Sequence, residues 1–396
     1  MNLADRLKND PFLKRLSDLL GEREAYVVGG YPRDLFLGKR SPDIDIVVLE
    51  DVRKFVEPIR ELGPVDFRFS EFMTAKFLFP DGRVLDLARA RRERYPRPAV
   101  LPEVEPAESI EEDLWRRDFS INAMAISLKR TNFGELIDPT GGLEDLQRGR
   151  IRVLKEGSFR DDPTRAYRAI RYSLRFNFSY DSLTECEFDL ARKYVRLLSF
   201  PRIENELRRG SAEERRAEFF HEAEARGLFP WEHRKPALKE LKDLDGLLAE
   251  RKEEDWILFF ALFLPEGPGV LEFVHSLPLE KPEKKALLDF LGLRDEEIEM
   301  DPGEFHLKHG KSAEEALLVL AAFRPALRDF ILDYLERKKK ATPQISAREL
   351  IEMGFTGRKI GEILKKIKIL RLQGKIRTKE EERSFVQSQL DERSGR

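Results

Sequence analysis

Two aspartates that alternate along one strand constrain this chain more than any other feature. Asp43 and Asp45 lie in the run DIDIVV, whose β-branched residues are typical of a buried strand. Residues i and i+2 of a strand point to the same face, so the two carboxylates should lie a few ångströms apart. Carboxylates this close repel, and one of them takes up a proton unless a positive charge lies between them. Either a divalent cation bridges the pair, or the motif lies at an exposed strand edge.

A Gly-Gly pair before this strand favours the first interpretation. Gly29 and Gly30 end the apolar run REAYVVGG and open a short predicted helix, with Arg33 on its first turn. Glycine lets backbone N–H groups approach an anion closely, and the N-terminus of a helix favours negative charge. Mg²⁺ prefers oxygen ligands, and Asp86 on a neighbouring predicted strand would complete a site for two ions. A phosphate cradle beside a metal site is the equipment of a nucleotidyltransferase.

The order of the predicted elements indicates an α+β fold. Up to about residue 130, short apolar or alternating runs predict strands on both sides of the Gly-Gly pair and a hairpin at 64–80. The basic, proline-broken stretch at 91–98 is predicted to be a loop, either a mobile element or simply a solvated one. From about residue 155 the pattern is helical almost throughout, so the 396 residues should form more than one domain.

Composition excludes some classes of protein. The most hydrophobic run, WILFFALFLP, is far too short to cross a bilayer. No charged segment followed by an apolar one opens the sequence, so no secretory signal is visible. Cys186 is the one cysteine and cannot form an internal disulfide. We therefore expect a cytoplasmic protein with no membrane partner.

The distribution of charge is more informative than its sum. The formal net charge of −2 offers no argument for a polyanionic partner. Residues 337–379, however, hold 14 Lys and Arg and 3 Glu, a surplus of 11 positive charges. This surplus is either a solvated helical face or a footprint for a phosphate backbone.

Five motifs in order carry a resemblance to a known family. The chain resembles the class II tRNA nucleotidyltransferases, a branch of the polymerase-β-like nucleotidyltransferases that includes CCA-adding enzymes and bacterial poly(A) polymerases. Asp161 and Pro201 depart from the family pattern, which has Glu at both positions. The motifs are GGYPRD…DIDIVV, RRDFSINAMA at 116–125, DPTGGLEDL at 138–146, DDPTRAYRAIRYSLRF at 161–176 and FPRIENEL at 200–207.

The resemblance implies a specific domain organisation. A small mixed β-sheet nucleotidyltransferase head would be followed by an elongated, all-helical neck, body and tail. The expected bounds are 1–135 for the head, 136–210 for a neck of nucleotide-selecting helices, 211–335 for the body and 336–396 for a basic tail that binds tRNA.

One helix carries a stripe of arginines. Arg165, Arg168, Arg171 and Arg175 follow one another at steps of three, three and four, so they share one face. The stripe is either solvated and offset by surface acids such as Asp161, or it faces a triphosphate or the end of a tRNA.

Asp162 and Arg165 are candidates for base selection. A carboxylate that accepts from an exocyclic amine and a guanidinium that donates to a ring nitrogen suit both cytosine and adenine. Uracil and guanine present a carbonyl oxygen instead, which a carboxylate repels. The resemblance implies the same selection, with protein as the template.

The second motif contributes Arg117, Asp118 and Asn122. We expect Arg117 to contact the triphosphate or the nucleotide, and Asp118 and Asn122 to orient the site. A structural cluster of helix cap and salt bridges that joins a strand to a helix is the alternative.

The implied activity is addition of C, A or both to the 3′ end of tRNA from CTP or ATP, without a nucleic-acid template. Bacterial poly(A) polymerase and a non-catalytic RNA-binding module of the same fold are the alternatives. The run FSEFMTAKFLF favours the tRNA branch, and the stretch between Asp86 and Arg116 slightly favours an enzyme of partial addition. Which nucleotides are added and the oligomeric state stay open. The expected catalytic ligands of Mg²⁺ are Asp43, Asp45 and Asp86, and the expected nucleotide-binding residues are Gly29, Gly30, Arg33, Arg117, Asn122, Asp162, Arg165, Arg168 and Arg171.

The basic segment resembles the family's tail, which would hold the acceptor-stem and T-arm side of tRNA by shape and phosphate charge. Its apolar residues at helical spacing, Leu350, Ile351, Ile360, Ile363 and Leu364, should pack inward. The expected tRNA-binding residues are Lys338, Lys339, Lys340, Arg358, Lys359, Lys365 and Lys366.

Overall fold

A computed structural model describes residues 10–39, 43–64, 66–69, 74–249 and 255–394. The chain divides into two compact units. The first comprises Met1–Arg215 with Glu222–Trp231, and the second comprises Arg216–His221 with Glu232–Arg396. The boundaries expected at residues 135, 210 and 335 are not tested by this division and stay predictions.

The first unit begins with a β-sheet region and continues into helices. Its elements in chain order are α1 (Pro11–Leu20), β1 (Ala25–Val28), α2 (Gly30–Phe36), β2 (Asp43–Val48), α3 (Arg53–Arg60), β3 (Asp66–Phe69), β4 (Thr74–Leu78), β5 (Val84–Arg89), β6 (Arg91–Arg94), β7 (Glu103–Pro106), α4 (Ile110–Trp115), β8 (Ala125–Ser127), β9 (Leu136–Ile137), α5 (Gly142–Gln147), β10 (Arg150–Ile151), α6 (Ser158–Asp161), α7 (Thr164–Phe176), β11 (Ser179–Tyr180), α8 (Ser182–Tyr194) and α9 (Phe200–Ser211).

Seven of these strands form one mixed sheet in the order β3-β4-β5-β2-β1-β8-β9. β2 and β5 run parallel, and the other neighbouring pairs are antiparallel. The parallel pair brings two acidic strands together, because Asp45 lies opposite Asp86 in its register. The α+β prediction and the hairpin predicted within 64–80 are confirmed.

Alternation along β2 decides which side chains are buried. Ile44 and Ile46 are buried in a core that α1 and α3 cover, with Leu16 and Phe55 among their neighbours. Asp43 and Asp45 point to the opposite face of the sheet. The hydrophobic demand of one face therefore places the two carboxylates on the other.

The prediction of a loop at 91–98 is wrong for its first half. β6 pairs antiparallel with β7, from Arg91 opposite Pro106 to Arg94 opposite Glu103. Cross-strand ion pairs such as Arg94–Glu103 replace the apolar alternation that normally identifies a strand. Periodicity of hydrophobic residues therefore carried no signal here.

The second unit is helical in the residues described. Phe220, Phe259 and Trp256 lie in its core, where the rings of Phe220 and Phe259 stack at 4.8 Å. None of the helices in the described ranges is both long and apolar enough to span a membrane. The helices are α10 (Arg216–Ala225, which begins in this unit), α11 (Leu238–Leu247), α12 (Trp256–Leu262), α13 (Val270–Ser276), α14 (Lys281–Arg294), α15 (Pro302–His309), α16 (Glu314–Phe323), α17 (Arg328–Lys340), α18 (Ala347–Glu352), α19 (Arg358–Leu372) and α20 (Lys379–Ser394).

The basic segment packs around a small core of its own. Leu350 and Ile363 are buried there, and Ile360 and Leu364 pack against it half-buried. The inward orientation predicted for Ile351 is wrong, since this side chain is 55% exposed. α18 has only six residues, so just one side of it meets the core.

Gly142 lies in close contact with the backbone at Ser120. It opens α5, and a Cβ at this position would lie 2.1 Å from the backbone oxygen of Ser120. We expect Gly142→Ala to force a backbone shift and to lower the free energy of unfolding by about 2 kcal/mol. Gly246→Ala is the control, because a Cβ there meets nothing within 4 Å and the helix should gain about 1 kcal/mol. Urea unfolding of both variants measures the difference, and equal stabilities would contradict the close approach.

Candidate active site

One cavity of the first unit, of about 450 Å³, gathers most of the residues singled out in the sequence. The turn before α2, strands β2 and β6, the segment after α4 and helix α7 all contribute to it. Its lining consists of Gly29, Gly30, Arg33, Asp45, Arg91, Glu93, Tyr95, Pro102, Arg116, Arg117, Asp118, Asn122, Asp162, Arg165, Arg168 and Tyr172. Nine of the expected metal- and nucleotide-binding residues are therefore neighbours in space, together with Asp118.

The carboxylates of β2 and β5 lie together, but not as a closed set of three ligands. Asp43 precedes Asp45 by two residues on the same face of β2, and Asp86 lies opposite Asp45 on β5. Lys76 Nζ lies 3.0 Å from Asp86 Oδ2 and neutralises it. Within the described ranges, no three His, Cys, Asp or Glu side chains are grouped closely enough to hold an ion. The third-ligand role of Asp86 stays a prediction.

The surroundings of Asp45 raise the pKa of its carboxyl group. Its side chain is exposed toward the cavity. The surrounding protein nevertheless raises the pKa by desolvation, and the negative charges of Asp86 and Asp43 raise it further. Arg117 and Lys76 act in the opposite direction without cancelling the rise. A divalent cation would relieve this repulsion, so the donor set fits Mg²⁺.

Gly29 allows the backbone to approach this carboxylate. Its φ of +71° lies in the left-handed region, and a Cβ would lie 3.0 Å from Asp45 Oδ2 and 3.4 Å from Arg117 Nη1. Any side chain at this position would therefore push the acidic strand and the arginine apart.

A buried polar chain spans the floor of the cavity. Arg33 Nη1 donates to Asn122 Oδ1 at 2.6 Å, Asn122 Nδ2 donates to Asp118 Oδ1 at 3.1 Å, and Arg168 Nη2 lies 2.5 Å from Asp118 Oδ2. Burial acts to raise the pKa of Asp118, but Arg168 and the Asn122 amide outweigh it and hold that pKa below its usual value. Asp118 and Asn122 thus hold two arginines in place, a geometry that both sequence interpretations allow.

Arg117 is held by an anchor that the sequence did not reveal. Asp113 is fully buried and pairs with Arg116 at 2.8 Å and with Arg117 at 3.0 Å. Burial acts to raise the pKa of Asp113, but the two guanidinium groups lower it more, so the carboxylate stays ionised.

Two of these arginines each have one N–H group without a hydrogen-bond acceptor in the described structure. Among the described residues, the Nε groups of Arg117 and Arg168 are buried and have no hydrogen-bond partner. A buried donor without an acceptor costs about 1–3 kcal/mol. Both residues also line the cavity, so an anion bound there would meet a guanidinium group of each.

Arg165 and Asp162 both line the cavity, but each already has partners. Arg165 donates from Nη1 to Ser158 Oγ at 2.8 Å and from Nη2 to the Arg116 carbonyl oxygen at 3.0 Å. Asp162 Oδ1 accepts from Thr164 and from Arg202 Nη2, the latter at 2.8 Å. The pair is therefore fixed in orientation before any base arrives.

The arginine stripe of α7 divides into two halves. Arg165 and Arg168 face the cavity. Arg171 pairs instead with Glu206 and Glu213, and Arg175 also pairs with Glu213. The structure does not bring Arg171 into the cavity lining, because these two glutamates hold its guanidinium elsewhere. Its expected nucleotide contact stays a prediction.

Residues 25–152 match a known family of protein domains. This segment matches the family model described as the poly A polymerase head domain. Residues 25–152 belong to this domain family. The carboxylates of β2, the Gly-Gly turn and the motif around Arg117 all lie inside this head domain.

Relatives extend the similarity beyond the head domain. An A-adding tRNA nucleotidyltransferase of Aquifex aeolicus is 34% identical over 87% of this chain, and the match covers 44% of the relative. The chain thus spans less than half the length of this curated relative.

Solved structures match over nearly the whole chain. A CCA-adding enzyme in an apo form superposes with a TM-score of 0.82 at 29% identity, covering 98% of this chain and 99% of the other. A Thermotoga maritima CCA-adding enzyme complexed with tRNA superposes with a TM-score of 0.75 at 28% identity, covering 98% and 96%. The family resemblance inferred from the five motifs is confirmed.

Several lining residues of the head domain were not among those that the sequence predicted. Arg91, Glu93 and Tyr95 alternate along and just beyond β6, so they share the face toward the cavity. Glu93 accepts from Arg116 Nη1 at 3.0 Å, which ties this face to the arginine motif. The spacing of two between these three residues could have predicted a strand with one face toward the cavity. The strand was missed because no apolar residues alternate with them.

The basic tail shows a concavity that the sequence did not predict. Lys340 and Arg377 line it with Arg337 and Arg371 around Gly374 and Ile376, and its volume is about 380 Å³. Among the described residues that line it there are four cations and no carboxylate. Lys340 is thus the one expected tRNA-binding residue that lines it. Of the others, Lys338 is half-buried, and Lys339, Arg358, Lys359, Lys365 and Lys366 are exposed elsewhere.

The raised pKa of Asp45 predicts a stability effect with a definite sign. In the folded state this carboxyl binds a proton more readily than in the unfolded chain, so its contribution to stability falls as pH rises from the unfolded pKa through the folded one. At pH 7 without divalent cations, we expect Asp45→Asn to raise the melting temperature. Asp51→Asn is the opposite control, since hydrogen bonds from Arg53 lower the pKa of Asp51 to about 2 and its removal should lower the melting temperature. Thermal unfolding in EDTA tests both, and a lower melting temperature for Asp45→Asn would contradict the raised pKa.

Proposed function

We propose that this chain is a tRNA nucleotidyltransferase that adds C, A or both to the 3′ end of tRNA from CTP or ATP. One observation carries the proposal: Asp45, which shares a face of β2 with Asp43, lines the same cavity as Arg117 and Arg168. A cavity that offers a carboxylate to a metal cation and guanidinium groups to phosphates suits a nucleoside triphosphate. A cytoplasmic location belongs to the same proposal and fits the single, exposed Cys186.

Asp43 and Asp45 would hold Mg²⁺, with Asp86 as a further candidate once Lys76 moves away. When bound, the ion supplies charge that lowers the pKa of an attacking hydroxyl and neutralises a leaving pyrophosphate. The protein's own part is positional. Gly29 keeps the backbone close to Asp45 without a side chain in the way.

The arginines would bind the triphosphate. Arg117 and Arg168 would donate from their guanidinium groups to phosphate oxygens, while Asp113 and Asp118 keep the guanidinium planes in place. In the reaction, the 3′-hydroxyl of the RNA attacks the α-phosphate and pyrophosphate leaves. Fixed donors reduce the reorganisation that this transfer of charge requires.

Base choice would rest on Asp162 and Arg165. The carboxylate accepts from the exocyclic amine of cytosine or adenine, and the guanidinium donates to the adjacent ring nitrogen. A carbonyl oxygen in the amine position would face the carboxylate and be repelled. Each hydrogen bond that a wrong base fails to make costs roughly 1–3 kcal/mol.

The direct test is incubation with tRNA that ends at the discriminator base or at CC, with Mg²⁺ and labelled CTP or ATP. Stepwise addition of C, A or both supports the proposal and reveals which nucleotides are added. Long A tails would indicate a poly(A) polymerase, and no incorporation would leave an RNA-binding module.

We predict that Asp43→Ala and Asp45→Ala each reduce turnover by at least about 10³-fold, because loss of an essential electrostatic group costs about 3–4 kcal/mol or more in the transition state. tRNA affinity should persist. Asp189→Ala is the matched control, since this carboxylate is exposed on α8 and pairs with Arg192 on the same helix. Single-turnover rates and filter binding measure the two effects. Loss of binding with intact turnover would contradict the metal assignment.

The tail concavity would take a phosphate of the tRNA backbone. We predict that Lys340→Gln with Arg377→Gln weakens tRNA binding about 10-fold at ~0.1 M salt and flattens its salt dependence, because a footprint with two fewer cations releases fewer counterions.

Lys365→Gln with Lys366→Gln removes the same charge from the outer face of α19 and should weaken binding less. A salt titration of all three proteins distinguishes the cases. Equal decreases in affinity for the two double variants would mean that affinity follows net charge, and not the concavity.

A further inference from the structure

Arg202, in the first turn of α9, connects two parts of the first unit that are far apart in sequence. Its Nη2 donates to Asp162 Oδ1 at 2.8 Å, and its Nη1 donates to the carbonyl oxygen of Ala99 at 2.6 Å. The two ends of one planar guanidinium therefore hold a cavity-lining carboxylate and a loop at the same time. Arg202 itself is not among the lining residues.

The hydrogen bonds to Asp162 fall on only one of its two carboxylate oxygens in the described structure. Oδ1 accepts from the Thr164 backbone N–H at 3.1 Å, from the Thr164 hydroxyl at 2.7 Å and from Arg202. In the described part of the chain, every hydrogen bond that this carboxylate accepts falls on Oδ1. Oδ2 is thus the oxygen that can accept from a base, and its direction depends on what grips Oδ1.

The contact with Ala99 fastens the connection between β6 and β7. Ala99 is buried and has a φ of +60°, which is uncommon for a residue with a side chain. Its N–H donates to the carbonyl oxygens of Arg160 and Asp161 at 3.2 and 3.1 Å, and its own carbonyl accepts from Arg202. The N–H of this strained residue therefore holds it against the segment that leads to Asp162, and its carbonyl oxygen holds it to Arg202.

The same connection also reaches the other member of the base-selecting pair. Tyr95, just after β6, contacts Arg165 through its hydroxyl at 3.5 Å and through its ring, whose centroid lies 5.8 Å from the guanidinium carbon. Tyr95 reaches Arg165 directly, and Ala99 reaches Asp162 through Arg202. The β6–β7 connection is thus linked to both groups.

We propose that Arg202 is a positioning residue for nucleotide choice, which fixes Asp162 Oδ2 relative to the β6–β7 connection. The proposal rests on the proposed function, because it concerns selection at that same cavity. Without Arg202, the carboxylate keeps its Thr164 contacts but is free to turn, so Oδ2 no longer holds one direction. Discrimination against bases with a carbonyl in place of the amine then falls.

The test is Arg202→Lys, which keeps the charge but lacks the planar fork that serves two acceptors. We expect the ratio of kcat/KM for the preferred nucleotide to that for UTP or GTP to fall about 10-fold, with most of the change in KM for the preferred nucleotide. Because both values come from one preparation, a reduced active fraction cancels in the ratio.

Arg208→Lys is the matched control on the same helix, where the arginine pairs at 2.8 Å with Glu204, one turn earlier. It should leave the ratio unchanged. A wild-type ratio for Arg202→Lys in an active enzyme overturns the proposal. An inactive wild type would instead overturn the proposed function, so the two failures are distinguishable.

A second variant tests the link to the loop. Ala99→Pro cannot adopt a φ of +60° and loses the N–H, so it releases the connection while Asp162 and Arg202 stay intact. We expect a lower ratio here too, and no further fall when Arg202→Lys is added, because both changes break one linkage. An unchanged ratio for Ala99→Pro, or fully additive effects, overturns the link between loop and carboxylate.

Discussion

Repulsion between carboxylates on β2 is the constraint around which the rest of the site is arranged. The strand cannot bury Ile44 and Ile46 without presenting Asp43 and Asp45 on its other face, since a shift by one residue would exchange the two sets. Packing of the hydrophobic core thus maintains an arrangement that electrostatics alone would disperse. Desolvation first, and then Asp86 and Asp43, raise the pKa of Asp45 in this arrangement.

Positive charge around these carboxylates is held in place by other, buried acids. Asp113 orients Arg116 and Arg117, and Asp118 orients Arg168. Buried ion pairs contribute little to net stability, because desolvation offsets most of the attraction. Their effect here is geometric: guanidinium groups that would otherwise sample many rotamers face one cavity before any ligand binds.

The β6–β7 hairpin lines the cavity although it has almost no hydrophobic core of its own. Its outward arginines are neutralised across the ladder by glutamates, as in Arg94–Glu103. Its inward face supplies Glu93 and Tyr95 to the cavity. A hairpin with few apolar contacts is held mainly by polar bonds, and such elements belong to the less stable parts of a fold. Its attachment through Ala99 to the segment before Asp162 therefore matters more than it would for a strand of the main sheet.

Local patterns in the sequence determined strands β1 to β5, the shared face of Asp43 and Asp45, the Gly-Gly turn and the helical second half. These follow from alternation, backbone freedom and helical periodicity, which act over a few residues. Tertiary structure alone decided that Arg171 pairs with Glu206 and Glu213 while Arg168 reaches the cavity, that Lys76 neutralises Asp86, and that Arg202 joins Ala99 to Asp162. A helix face spans a wide angle, and which part of it meets a cavity depends on neighbours distant in the chain. Partners of a charged side chain are chosen by three-dimensional proximity, which no local pattern encodes.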